Sequence, residues 1–181
     1  MADIKTRNAV EGRVKTIDRA LIAGQHIKQS YLSTRDESLR YAGTSKNTEV
    51  EYATNQVEQK AEEIGLPVVI AVSDHAGRIT AVHCMDGAYI ASYDIAVNKT
   101  FTSAGLKMST AELANLSQPG QPLYGIQHTN EGKIVIFGGG EPLEIDGKII
   151  GAIGVSGGTA EQDTMLAAYG KEVLKEVISC L

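Results

Sequence analysis

The sequence has no tryptophan and only two phenylalanines, so large aromatic rings cannot fill its core; Val, Ile, Leu, Ala and closely approaching backbone must do so. Two cysteines, Cys84 and Cys180, are too few for a disulfide scaffold, and neither belongs to a C-x-x-C pair. The longest apolar runs, such as residues 67–72 and 149–155, fall far short of the roughly 20 residues that span a membrane. Basic charge is also short: 17 Lys and Arg stand against 22 Asp and Glu, a formal charge of −5. The cationic excess that nucleic-acid binding by counterion release requires is missing. The opening residues are polar and lack the apolar core of a secretory signal, so the reading excludes export by that route and expects a cytoplasmic protein.

What remains is a chain of 181 residues, 43% hydrophobic, long enough for one compact domain and an appendage. Val10, Val14, Ile17 and Leu21 draw one apolar stripe on a helix over residues 5–28, followed by a polar linker to residue 47. The domain boundary is placed there, dividing residues 1–47 from 48–181. A second helix, with Val50, Ala53, Val57, Ala61 and Ile64 on one face, ends at Gly65-Leu66-Pro67. Residues 68–72 and 78–85 then read as a hairpin around Asp74-His75-Ala76-Gly77. Helices follow over residues 89–106 and 109–116, the second opened by the capping pattern Ser109-x-x-Glu112. After a long break at residues 117–129, three strands are expected at 133–137, 143–145 and 148–155, the last two joined by Asp146-Gly147. Thr159-x-x-Gln162 opens a final helix to about residue 178. Hairpins in this order imply antiparallel pairing, not a Rossmann sheet.

Chemistry-bearing residues are scattered. There is no G-x-S-x-G, no H-E-x-x-H, no Walker loop and no zinc-spaced Cys/His cluster. Strand alternation puts His83 on the face of Ile79 and Ala81 while Cys84 points the other way. An imidazole in a greasy slot fits an axial haem ligand, and it equally fits a half-buried histidine satisfied by a hydrogen bond. His128 lies in the long break near Tyr124, a loop position from which a pocket can be reached. Gly138-Gly139-Gly140, after Phe137, reads either as backbone facing a flat ligand or as a bulge and turn. Ser156-Gly157-Gly158-Thr159 offers helix N-terminal amides to an anion, or simply caps the helix. Lys99 is either a salt-bridged residue or an ammonium on a buried stem offered to an acidic ligand.

Several stretches together resemble a known family: residues 67–74, 77–82 and 85–88, Asn98-Lys99 with Thr102, then residues 122–125, 134–140 and 151–158 with Glu161-Gln162-Asp163. In order and spacing they resemble the GlcG/HbpS-type haem-binding, haem-degrading proteins, whose fold is also the C-terminal domain of PduO-type corrinoid adenosyltransferases. The resemblance implies an α/β (α+β), profilin-like fold: a five-stranded antiparallel sheet flanked by helices, assembled into dimers to octamers. It implies a ligand, haem or a related tetrapyrrole, and a setting near diol, glycolate or corrinoid metabolism, with microcompartment targeting through residues 5–28 as one use of the N-terminal helix. It carries over no catalytic residue. Here His83-Cys84 precedes Met85-Asp86 where the family pattern has a polar residue and an arginine.

The expectation is therefore a cytoplasmic, homo-oligomeric binding protein with haem as cofactor. His83 or His128 would ligate the iron, and Lys99 or the amides of Ser156, Gly157, Gly158 and Thr159 would meet the propionates. Tyr124 and Phe137 would pack on the ring beside Gly138, Gly139 and Gly140. Two alternatives stay open: an accessory enzyme for a small 2-hydroxy acid or diol-derived metabolite, and an oligomeric scaffold recruited by its N-terminal helix.

Overall fold

A computed structural model describes residues 47–179. The helix expected over residues 5–28, the linker up to residue 46 and Cys180 lie outside the described residues; the expected boundary between residues 47 and 48 falls at their start.

Helix α1 (Asn47–Glu63) buries Ala53, Val57 and Ala61, the stripe that its spacing predicts. It stops where Gly65 takes φ +66° and the Leu66 amide bonds back to the Ala61 carbonyl at 3.0 Å; Pro67 then prevents continuation. Strands β1 (Val69–Asp74) and β2 (Ile79–Cys84) form the expected antiparallel hairpin. Its turn is held by the Asp74 carboxylate, whose Oδ1 accepts from the amides of Ala76 and Arg78 at 2.8 and 2.9 Å. Helix α2 (Ser92–Leu106) and the short α3 (Thr110–Leu116) follow, α3 capped by Ser109 Oγ on the Glu112 amide at 3.1 Å. Two single 3₁₀ turns, Ile126–His128 and Asn130–Gly132, lead into β3 (Gly140–Ile145) and β4 (Lys148–Ser156). Asp146 and Gly147 between these strands both have positive φ (50° and 75°), the tight hairpin turn that this dipeptide favours. Helix α4 (Ala160–Ser179) completes the described residues.

The architecture is α+β, with strand order β2-β1-β4-β3 and every neighbour antiparallel. β1 lies inside the sheet with its apolar residues buried on both faces, which is why it reads as a continuous apolar run. On one face Val69 and Ala71 pack with Ala96 of α2. That helix approaches β4 so closely that a side chain at Gly154 would overlap the Ala96 carbonyl. On the other face, a Cβ at Gly170 of α4 would stand 2.7 Å from Val57 of α1 and 2.6 Å from Ile153 of β4. Small residues thus set helix–sheet distances that a core poor in aromatic bulk needs.

The sheet has four strands among the described residues, not the expected five. Residues 133–137 are not in the ladder, although Ile134 and Val135 are buried. The Val135 amide donates instead to Thr102 Oγ1 of α2 at 2.9 Å, and the Thr102 hydroxyl donates to the Asn98 carbonyl at 2.7 Å. A helix side chain satisfies the backbone here, so a β-branched apolar run reaches the core without a strand neighbour.

Candidate functional site

Most of the residues singled out in the sequence gather in a sealed interior seam, His83 lies next to an open groove, and Tyr124 and His128 lie apart from both. Lys99, in the middle of α2, is 0% exposed. Its ammonium donates to Asp163 Oδ2 and to the Val155 carbonyl, both at 2.7 Å, and lies 4.9 Å from the centroid of the Phe137 ring. Burial pushes the Lys99 pKa below the ordinary lysine value of 10.5, against the hydrogen bond and charge of Asp163. The cation expected to face a propionate is thus held by a protein carboxylate in the core.

The glycine run belongs to the same seam, which corrects its reading as free backbone facing a ligand. A Cβ on Gly139, whose φ is +113°, would stand 2.6 Å from both Lys99 Nζ and Asp163 Cβ. One on Gly140 would stand 2.7 Å from Ser103 Oγ, and one on Gly138 would overlap the Thr164 hydroxyl. These three positions lack side chains because α2 and α4 occupy the space. Phe137, 43% exposed, covers the ammonium from outside.

Ser156, Gly157, Gly158 and Thr159 spend their polar groups internally. Ser156 Oγ donates to Ser92 Oγ at 3.2 Å, and the Gly158 amide donates to Asp163 Oδ1 at 2.9 Å. The Thr159 amide donates to Gln162 Oε1 at 2.9 Å while Thr159 Oγ1 accepts from the Gln162 amide at 3.3 Å. Of the two readings left open, reciprocal capping is the one the geometry displays. Asp163, which the sequence reading quoted only as part of the family pattern, joins cap and seam: one oxygen takes the Gly158 amide and the other Lys99.

The open region lies where α1 ends and β2 leaves the sheet. Glu58, Glu62, Gly65, Leu66, Pro67, Cys84, Met85 and Asp86 line a groove of about 530 Å³. Leu66, Pro67 and Met85 give it apolar surface; Cys84 brings an exposed free thiol and Met85 a thioether whose Sδ accepts from the Val68 amide at 3.5 Å. Next to Cys84, His83 pairs across the ladder with Ile70 on β1. Its Nδ1 lies 3.2 Å from Glu58 Oε2, with the two side chains 22% and 33% exposed. The partner Glu58 went unnoticed in the sequence because it stands 25 positions away on another element.

Tyr124 is 66% exposed and His128 is exposed, both in the segment between α3 and β3, where the His128 ring contacts Gln127 at 3.4 Å. Among the described residues, no group of three or more His, Cys, Asp or Glu side chains is arranged to hold a free metal ion, and no helix is long and apolar enough to cross a membrane.

A groove beside a carboxylate-paired histidine, carried on a small α+β sheet, is a pattern that can be compared with known proteins. The family described as haem-degrading, HbpS-like proteins matches residues 46–172. The chain belongs to the HbpS-like family. An uncharacterized 15.0 kDa protein of the dhaT–dhaS intergenic region of Citrobacter freundii is 49% identical over 121 residues, 67% of this chain and 85% of that protein. The corrinoid adenosyltransferase PduO of the same organism is 36% identical over 145 residues, 79% of this chain but only 43% of the adenosyltransferase. Among solved structures, a PduOC:heme complex matches with TM-score 0.69 and 34% identity, covering 72% of this chain and 94% of that one. This HbpS-like chain therefore spans less than half of the adenosyltransferase.

Proposed function

We propose that this chain is a small-ligand-binding protein whose ligand is haem or a related tetrapyrrole, taken up at the groove between the end of α1 and β2. The observation that carries the reading is the half-buried His83–Glu58 pair beside that groove. A volume of about 530 Å³ falls within the roughly 300–1,000 Å³ of small-molecule sites. Imidazole and thiol are both donors that haem iron accepts, so the donor set fits the group. The haem-complexed structural neighbour and the HbpS-like family support the same choice.

The polar side chains also set an orientation. Glu58, Glu62 and Asp86 line the groove, and no Lys or Arg does. Carboxylates repel carboxylates, so propionates would face solvent. Haem, when bound, supplies a redox-active iron; His83 would hold it, and Leu66, Pro67 and Met85 would exclude water from the ring. Neither histidine lines the groove itself; His83 is favoured because its partner Glu58 and its chain neighbour Cys84 do, while His128 is exposed in the segment between α3 and β3.

Haemin titration of the full chain tests the reading. A Soret shift that disappears in His83→Ala and persists in His128→Ala is the expected result; no shift in the wild type defeats it. The enzyme alternative loses its main contact, since Lys99 is engaged by Asp163. We also read the protein as a homo-oligomer, supported by the outer edge of β2, which carries neither proline nor a Lys or Glu guard. Sedimentation velocity tests this, a monomer at micromolar concentration being the adverse result. An accessory place beside corrinoid or diol metabolism, including inside a microcompartment, is supported by the likeness to PduO alone; co-fractionation of residues 1–181 against 46–181 checks the targeting role of the N-terminal segment.

A further inference from the structure

We propose that β2 pairs antiparallel with β2 of a second copy of this chain about a two-fold axis. The pairing brings Arg78 of the second copy to the acidic groove, which is therefore completed by two chains. The inference rests on the homo-oligomer reading above and adds which edge joins and what charge it delivers; it does not depend on the ligand.

The sheet ends on two edges of opposite character. β3 holds Pro142, which has no amide to donate, and the carboxylates of Glu141 and Glu144, devices that keep a strand edge unpaired. β2 has no proline and no Asp, Glu, Lys or Arg; Ile79, Thr80 and Val82 are β-branched, and Ile79, Thr80 and Cys84 are exposed. Among the described residues β1 is the strand that pairs with it, so alternate backbone donors and acceptors along its outer edge have no ladder partner.

A second copy fits this edge for reasons of symmetry and charge. A two-fold axis between antiparallel strands sets a residue opposite its own copy, so a charge near the axis would meet itself; β2 carries none of the four charged residue types there. Centring on Ala81 pairs residues 79–83, and centring on Val82 pairs residues 80–84. Either choice runs Arg78 of one chain alongside Cys84, Met85 and Asp86 of the other, which line the groove. The β1–β2 register slips once, between Ala81 and Ile79, which moves that match by one residue. The groove lining offers Glu58, Glu62 and Asp86 and no base. Arg78 is 76% exposed, and its Nε donates to Asp74 at 3.1 Å, leaving the Nη groups for a second carboxylate. The two-fold repeats the contact, so a guanidinium meets an acidic groove at each end of an uncharged strand pair.

The tests use the full chain at micromolar concentration. In a Cys84→Ser, Cys180→Ser background, Ala81→Cys or Val82→Cys, whichever lies at the axis, should form covalent dimers on mild oxidation, and Glu144→Cys on β3 should not. Arg78→Glu and Asp86→Arg should each weaken the dimer about tenfold in sedimentation, and the two combined should recover most of the loss. A role of Arg78 confined to its own turn gives no such rescue, and matching circular dichroism spectra exclude misfolding. An oligomer that shows neither cross-link nor rescue overturns the β2 interface and spares the homo-oligomer reading. A cross-link without rescue overturns the part given to Arg78, and a monomer overturns both readings.

Discussion

Two pairs of opposite or complementary charge organise this molecule, and they differ in what surrounds them. Lys99–Asp163 is enclosed by α2, β4, α4 and three side-chain-free glycines, with both partners nearly free of solvent. His83–Glu58 is half-buried, 22% and 33% exposed, and its Glu58 lines a groove. A buried ammonium with its hydrogen bonds filled by protein holds the fold together and has little left to offer a ligand. A half-exposed imidazole with one nitrogen anchored keeps the other for chemistry. The contrast teaches that the residue type most suggestive of anion binding in the sequence was the less available one.

The largest effect should come from breaking the sealed pair. Lys99→Ala leaves Asp163 charged and buried, and a stability loss of about 3–5 kcal/mol is expected in urea denaturation. Replacing both partners by apolar residues, Lys99→Met with Asp163→Leu, should lose less than the single change, because no uncompensated charge remains. Equal losses would mean that the seam is held by packing alone. Next in size, Gly139→Ala forces a side chain to within 2.6 Å of Lys99 Nζ at a φ of +113°, with an expected cost of about 2–4 kcal/mol from overpacking and backbone strain together.

At the open pair the effect moves from stability to binding. His83→Ala should change the unfolding free energy by about 1 kcal/mol or less, as exposed pairs do, while abolishing the haemin Soret shift. Conversely, Glu62→Gln with Asp86→Asn should tighten haemin binding several-fold at low salt, and the gain should shrink as ionic strength rises. Tightening that ignores salt would point away from propionate repulsion.

The smallest effect is expected at the β1–β2 turn. Burial raises the Asp74 pKa, but the amides of Arg78 and Ala76 and the Arg78 guanidinium outweigh it and bring the carboxyl below its ordinary 3.8. Because the folded value is the lower one, the unfolded state binds more protons as pH falls. This stabilisation is present above pH 3.8 and lost as pH drops through the folded value. Asp74→Asn should flatten that acid limb in pH-dependent urea unfolding and leave neutral stability the lower of the two proteins.

Much of the element list was legible because it rests on local physics. The 3.6-residue stripe of Ala53, Val57 and Ala61 forecast α1, and Asp146-Gly147 and Thr159-x-x-Gln162 forecast their turn and cap. Residues 133–137 misled because a β-branched apolar run looks the same whether a strand or Thr102 of a helix satisfies its amide. Glu58 and Asp163 escaped the chemical reading for a related cause: their partners lie 25 and 64 positions away.

The sequence by itself determined the described helices, the two hairpins, the antiparallel pairing and the family, since periodicity, turn dipeptides and caps act over a few residues. Tertiary structure alone decided which charged groups were sealed and which stayed within reach of a ligand. The physical reason is that desolvation depends on what other elements bring alongside: α4 brings Asp163 onto Lys99, while α1 brings Glu58 onto His83 and leaves both partly exposed.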